Sequence, residues 1–206
     1  MAAVSVEMWM DFGCPWSRMS LVELQRAVTV RGDSLEIQFH GLRLDPEAPA
    51  DYGRTTIENL CAHLFISEEE AEAMLQKVVD AGREVGVGFN FRTARGASTF
   101  DAHRLMEWAH IYGKQLDLAL VLWRAHFENG VLISDHSVLV ACAEAVGLPS
   151  DEARGILQSG VWNDEVLEGE KLATGRDIER TPHFLFASGH ELSGMQGAAD
   201  FEAVLA

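Results

Sequence analysis

Cysteine is scarce in this chain: three residues, at positions 14, 61 and 142. Thiols so few, odd in number and far apart make no disulfide framework, and they fit a reducing cytoplasm better than an oxidising compartment. Basic residues are scarce too, 16 Lys+Arg against 32 Asp+Glu, for a net charge of −16. A protein that neutralises phosphates needs a basic surface, so this balance argues against a nucleic-acid partner. The acidity is read simply as solubility. No stretch approaches the roughly 20 apolar residues of a membrane span. The start, Met1-Ala2-Ala3-Val4-Ser5-Val6-Glu7, lacks the basic residues and long apolar run of an export signal. The expectation is a cytoplasmic protein with no membrane partner. Internal repeats, low-complexity tracts and zinc-ligand spacings are missing as well, and no metal is expected.

What is present is enough apolar material for a substantial core: 48% of the 206 residues are hydrophobic and 23% charged. Val4, Val6, Met8 and Met10 alternate with Ser5, Glu7 and Trp9. This predicts a first strand, buried on both faces because Trp9 is also apolar. Cys14-Pro15 then opens a helix, proline being favoured at the first helical position, and Arg31-Gly32 closes it. Leu35, Ile37 and Phe39 predict a second strand running towards Gly41. Strand, helix and strand within about 40 residues make a βαβ unit with parallel pairing.

After a turn-rich stretch at 44–53 the pattern becomes helical. Ser67-Glu68-Glu69-Glu70 has the form of a capping box, in which Ser67 and Glu70 satisfy each other's backbone amides. Further helices are predicted over 101–112, 115–127, 135–146, from a Ser150 cap to 158, and over 163–174. Phe184-Leu185-Phe186 is a strand, Glu191-Leu192-Ser193 its hairpin partner, and 198–205 a terminal helix. Strands at both ends with about 100 helical residues between them give an α/β fold assembled from the two ends around a helical insertion. The expected division is 1–45, 46–155 and 156–206.

Cys14 stands where a thiol becomes reactive. It follows a strand and a glycine and sits at a helix N-terminus, where free amides and the helix dipole favour the thiolate. The competing reading is a small buried hydrophobe, the usual fate of a free cysteine. Ser17 occupies the place of the second thiol in a C-x-x-C motif. A serine cannot attack a mixed disulfide, but it can donate a hydrogen bond to the Cys14 thiolate or help hold a thiol ligand. Otherwise Ser17 is a first-turn helix residue without catalytic duty. Cys61 and Cys142 lie in helical apolar patterns and are expected in the core.

The segment Asp11-Phe12-Gly13-Cys14-Pro15-Trp16-Ser17 resembles the active site of the FrnE-like branch of the DsbA family, which usually reads D-P-x-C-P-W-C. SEEEAEAM at 67–74, GVGFNF at 86–91, TFDAHRL at 99–105 and LWRAHFENG at 122–130 are similar to that family's helical insertion. Thr181-Pro182-His183-Phe184-Leu185-Phe186 and Ser193-Gly194-Met195-Gln196-Gly197 resemble its closing segment. The resemblance implies a thioredoxin fold interrupted by an all-helical domain, with the active site in the groove between them. It further implies Cys14 and Ser17 as the catalytic pair and Pro15, Trp16, Thr181, Pro182 and His103 as substrate-binding residues, with Pro182 a cis-proline opposite the sulfur. Arg104 beside His103 is either groove-facing or half of a helix-surface pair.

Two departures stand out: the second cysteine is missing, and His183 replaces an apolar residue after the proline. Ser17 also brings the segment nearer to the related kappa-class glutathione transferases and 2-hydroxychromene-2-carboxylate isomerases, which read S-P-Y-S. Three functions follow from the resemblance. The first is a single-cysteine thiol–disulfide oxidoreductase, with glutathione or another small thiol as co-substrate and no tightly bound cofactor. The others are a glutathione-type isomerase or transferase and a non-catalytic thiol- or peptide-binding module.

Overall fold

The structure is a computed structural model that describes residues 3–206. The chain folds as two compact units, one formed by its two ends, up to Leu44 and from Asn163 on, and the other by Asp45–Trp162.

The first unit holds a sheet of four strands, among the described residues, in the order β2-β1-β3-β4: β1 Ala3–Met10, β2 Ser34–Gly41, β3 His183–Phe186 and β4 Glu191–Ser193. β1 pairs parallel with β2, as a βαβ crossover requires, and antiparallel with β3, while β3 and β4 form the hairpin. The register places Met8 between Phe39 and Phe184, and Trp9 between His40 and His183. Alternation then sends these two sets to opposite faces.

The face carrying Val6, Met8, Phe184 and Phe186 is covered by α1 (Pro15–Arg31) and α9 (Ala198–Leu205); Phe201 meets Phe184 edge-on at 5.1 Å. The face carrying Trp9 is covered by α8 (Asn163–Gly175), where Trp9, Ala173 and Ile178 form a buried cluster flanked by Leu42 and Leu185. Burial of β1 on both faces holds for Met8, Trp9 and Met10, but Ser5 is exposed and Glu7 half-exposed. Only the end of the strand that leads to Cys14 is sandwiched between helices. α1 ends as expected at Gly32, whose φ of +72° lets its N–H return to Thr29 O and the Asp33 N–H to Val28 O.

The second unit is helical: α2 (Thr56–Leu64), α3 (Glu68–Val85), α4 (Phe100–Ile111), α5 (Gln115–Trp123), α6 (His136–Ala145) and α7 (Ser150–Leu157). The Ser67–Glu70 capping box that starts α3 is formed. α2 was not anticipated, although Thr55 and Glu58 close the same reciprocal motif. The helix predicted over 115–127 is α-helical only to Trp123 and continues as a π-helical turn over Arg124–Glu128. The cap of α7 is Pro149, so Ser150 is its first helical residue. α7 packs on α6 and α4, which keeps it with the helical unit and puts the boundary at 162/163, beyond the 155/156 expected from sequence. No helix among the described residues is long and apolar enough to cross a membrane.

Candidate active site

Cys14 is the N-cap of α1, in extended backbone, with Pro15 at the first helical position. The turn that delivers it from β1 is fixed twice through Asp11. The Asp11 carbonyl accepts the Cys14 N–H at 3.2 Å, and its buried carboxylate accepts the Leu44 N–H at 2.8 Å. The Cys14 side chain makes no bond to the helix's own amides, which remain available to a sulfur anion. Only 3% of the residue is exposed, so the approach to the sulfur is narrow.

The sulfur meets the far end of the chain. Cys14 Sγ lies 3.5 Å from the Thr181 carbonyl, to which the thiol donates. The Thr181–Pro182 peptide bond is cis. The Pro182 carbonyl in turn accepts the Gly194 N–H at 2.8 Å, and Gly194 adopts a φ of +81° that favours glycine. The loop after Gly194 is clasped by α1. Ser20 Oγ donates to Met195 Sδ and accepts from the Gln196 N–H, while buried Glu23 accepts the Ala198 N–H at 2.9 Å and pairs with Arg26. One face of the helix that begins at Cys14 thus also holds the segment opposite the sulfur.

Sequence reasoning missed Ser20 and Glu23. Nothing in α1 singles them out, because the helix also carries Arg18, Gln25, Arg26 and Thr29, and only burial sets Ser20 and Glu23 apart. Replacing Glu23 by Ala leaves the Ala198 N–H without its acceptor and should cost about 1–3 kcal/mol, largely recovered in Glu23→Gln; urea unfolding of the two variants measures it.

Ser17 is fully buried, and its hydroxyl finds no hydrogen-bond partner; in particular it does not reach the Cys14 sulfur. The Thr181 hydroxyl is likewise buried without a partner. Two buried hydroxyls without partners therefore belong to residues near the thiol in sequence or in space, one on α1 and one before β3. Trp16, in contrast, is about one-third exposed.

His103 and Arg104 lie on α4 of the helical unit, and both are buried, which rules out the helix-surface pair. Arg104 spends its guanidinium on the backbone carbonyls of Ile156, Ser159 and Val161 and on Asp101, tying α4 to the end of α7. Cys142 is buried in α6, where desolvation pushes its thiol from the ordinary 9.0 up to about 11; Cys61, expected in the core, is only half-buried. Because the fold favours the neutral form of Cys142, this contribution to stability is complete below pH 9 and is lost as pH rises from 9 towards 11. Iodoacetamide should accordingly spare Cys142 in folded protein at pH 8 and label it in urea, which peptide mass spectrometry reads. All three cysteines are free, and no group of three or more metal-ligating side chains is gathered among the described residues.

Residues 5–206 match the model of the DSBA-like thioredoxin domain. The chain belongs to that family. Among solved structures, the DsbA-like chain is similar to a probable DsbA oxidoreductase from Streptomyces coelicolor, with 27% identity, a TM-score of 0.90, and 98% of this chain and 88% of that one covered. More distant likenesses show the shared fold. One is 2-hydroxychromene-2-carboxylate isomerase, at 14% identity and a TM-score of 0.67 over 98% of this chain and 94% of that one. Another is the cytosolic disulfide reductase DsbM from Pseudomonas aeruginosa, solved with GSH, at 15% identity and a TM-score of 0.63 over 98% of this chain and 96% of that one. No curated protein matches the sequence. Membership of this DsbA-like family supports an enzyme role for the chain.

Proposed function

We propose that the protein is a FrnE-like thiol–disulfide oxidoreductase of the cytoplasm that works through Cys14 alone. The observation that carries the reading is the pairing of Cys14 Sγ, at an uncapped helix N-terminus, with the Thr181 carbonyl across the fold. In the first step the Cys14 thiolate attacks one sulfur of a disulfide R–S–S–R′. A Cys14–S–S–R bond forms, the S–S bond breaks, and R′–S⁻ leaves with the electron pair. In the second step an external thiolate attacks the R sulfur, forms a new disulfide with it and returns the Cys14 thiolate. The two electrons come from the external thiol, and no net charge accumulates.

Release is intermolecular because Ser17 has no sulfur to offer. A small thiol such as glutathione suits the narrow approach better than a protein thiol does. Pro15 and Trp16 bound the sulfur on the α1 side. The Thr181-Pro182 segment offers backbone groups along which an extended substrate can pair. His103 is assigned no step. Ionisation of Cys14 removes the proton it shares with the Thr181 carbonyl and frees that carbonyl for the substrate.

The idle Ser17 hydroxyl favours a second reading, a glutathione-type isomerase or transferase, since a buried hydroxyl without a partner can hold a ligand's sulfur. Assay of a glutathionylated peptide with added glutathione separates the two. Saturable release of the peptide thiol supports the oxidoreductase. Saturable glutathione binding without release, unchanged in Cys14→Ala, contradicts it and points to a thiol-binding site.

A further inference from the structure

His183 opens β3, directly after Pro182, and is buried on the sheet face beneath α8. Its ring meets Trp9 of β1 edge-on, with centroids 5.8 Å apart. The Trp9 ring is in turn stacked at 4.6 Å on His40 of β2, whose Nε2 lies 2.7 Å from Glu7 of β1. From β4, Glu191 Oε2 comes to 3.2 Å of His183 Nε2, yet the two are out of hydrogen-bond geometry and the buried nitrogen has no hydrogen-bond partner. From the chain after α8, Arg176 adds a positive charge to the surroundings. The ionisable groups around His183 are therefore Glu191 and Arg176, with the His40–Glu7 pair behind Trp9.

Two residues back along the backbone is the Thr181 carbonyl that receives the Cys14 thiol proton; between them, Pro182 is pinned to Gly194. A carboxylate within reach but unbonded, beside a buried imidazole, is an incomplete contact that a proton completes.

We propose that His183 is a proton-linked positioning residue for Cys14: on protonation its ring turns from Trp9 to bond Glu191, shifts the start of β3, and loosens the Thr181 carbonyl from the Cys14 thiol. The thiol then loses the acceptor that its proton bonds, which favours the thiolate. The switch belongs to mildly acidic conditions, because burial holds the imidazole below its ordinary 6.5, opposed by Glu191 and reinforced by Arg176. The sign agrees with a strained protonated form. A histidine depressed in this way contributes stability that is complete above pH 6.5 and is lost as pH falls through its folded value.

This inference rests on Cys14 being the reactive group, so the test reads Cys14 itself. Iodoacetamide alkylation of Cys14 is followed by peptide mass spectrometry from pH 7.5 to 5 in the wild-type chain, His183→Phe and Glu191→Gln. The ratio of wild-type to His183→Phe rates should rise about threefold or more as pH falls. Glu191→Gln, at a half-exposed position, should move the step to lower pH. A ratio that stays flat, or a step unmoved by Glu191→Gln, overturns the role of His183 and leaves the oxidoreductase reading standing. A Cys14 that is inert at every pH overturns both.

Discussion

Cys14→Ser should reduce turnover of a glutathionylated peptide by about a thousandfold or more, to the rate of the uncatalysed exchange. The substitution is nearly isosteric and leaves Pro15, the α1 start and the Asp11 turn in place, so the loss reports chemistry and not folding. A hydroxyl at the helix N-terminus has the same free amides around it, but it cannot form or break a disulfide bond. The same assay should show why position 17 matters. Ser17→Cys restores the C-x-x-C spacing, so release of the bound thiol becomes intramolecular and loses its dependence on added glutathione. The replacement enters a fully buried position whose present hydroxyl has no partner, so no bond is sacrificed in making it. Steady-state rates against glutathione concentration for the wild type and the two variants give the comparison.

The largest loss of stability is expected from Arg104→Ala, at about 3–5 kcal/mol, the range for breaking a buried charged network by removing one member. Arg104 is 3% exposed, and its donors meet the carbonyls of Ile156, Ser159 and Val161 together with the Asp101 carboxylate. These carbonyls are the loose ends of α7 and of the chain that follows it, where helix hydrogen bonds run out. Without the guanidinium the Ile156 carbonyl keeps only its Ser159 donors, the Ser159 and Val161 carbonyls lose their Arg104 bonds, and the α4–α7 contact loosens. Arg104→Lys should recover only part of the loss, since one ammonium cannot span four acceptors arranged for a planar fork. The urea midpoint of each variant, followed by tryptophan fluorescence, measures the difference. A change below about 1 kcal/mol would mean that solvent replaces the guanidinium.

Much of the fold was legible because its signals are local. The alternation through Val4, Val6, Met8 and Met10, the Cys-Pro helix start and the Gly32 stop each depend on neighbours within a few residues. The strand–helix–strand at the start and the hairpin at the end then leave few arrangements for a sheet built from both ends. α2 was missed although Thr55-Thr56-Ile57-Glu58 carries a capping box as clear as that at Ser67. The helix is short, and its apolar side is too brief to stand out from the turn-rich chain before it. The π-helical turn at Arg124–Glu128 had no sequence signal either, since a residue added to a helical turn leaves the composition unchanged.

At the candidate site, Cys14, Ser17 and the Thr181-Pro182 segment were singled out from motif and order, while Ser20 and Glu23 were not. Their partners, Gln196 and Ala198, lie at the other end of the chain, and nothing local shows that a polar residue on α1 is buried. Arg104 shows the same limit: its acceptors lie 52 to 57 residues further on, so the motif around it pointed to a groove or a surface when it in fact caps a helix end. Ser17 marks a different one. Spacing identified the position, but only the fold shows a buried hydroxyl with no partner.

The central claim, that chemistry passes through a single thiol at Cys14, is tested most directly by peptide mass spectrometry of the protein purified without reductant and then exposed to oxidised glutathione. A mixed disulfide on Cys14, with Cys142 left as free thiol, is the result this structure predicts. An unmodified Cys14 under conditions that oxidise Cys61 would contradict it.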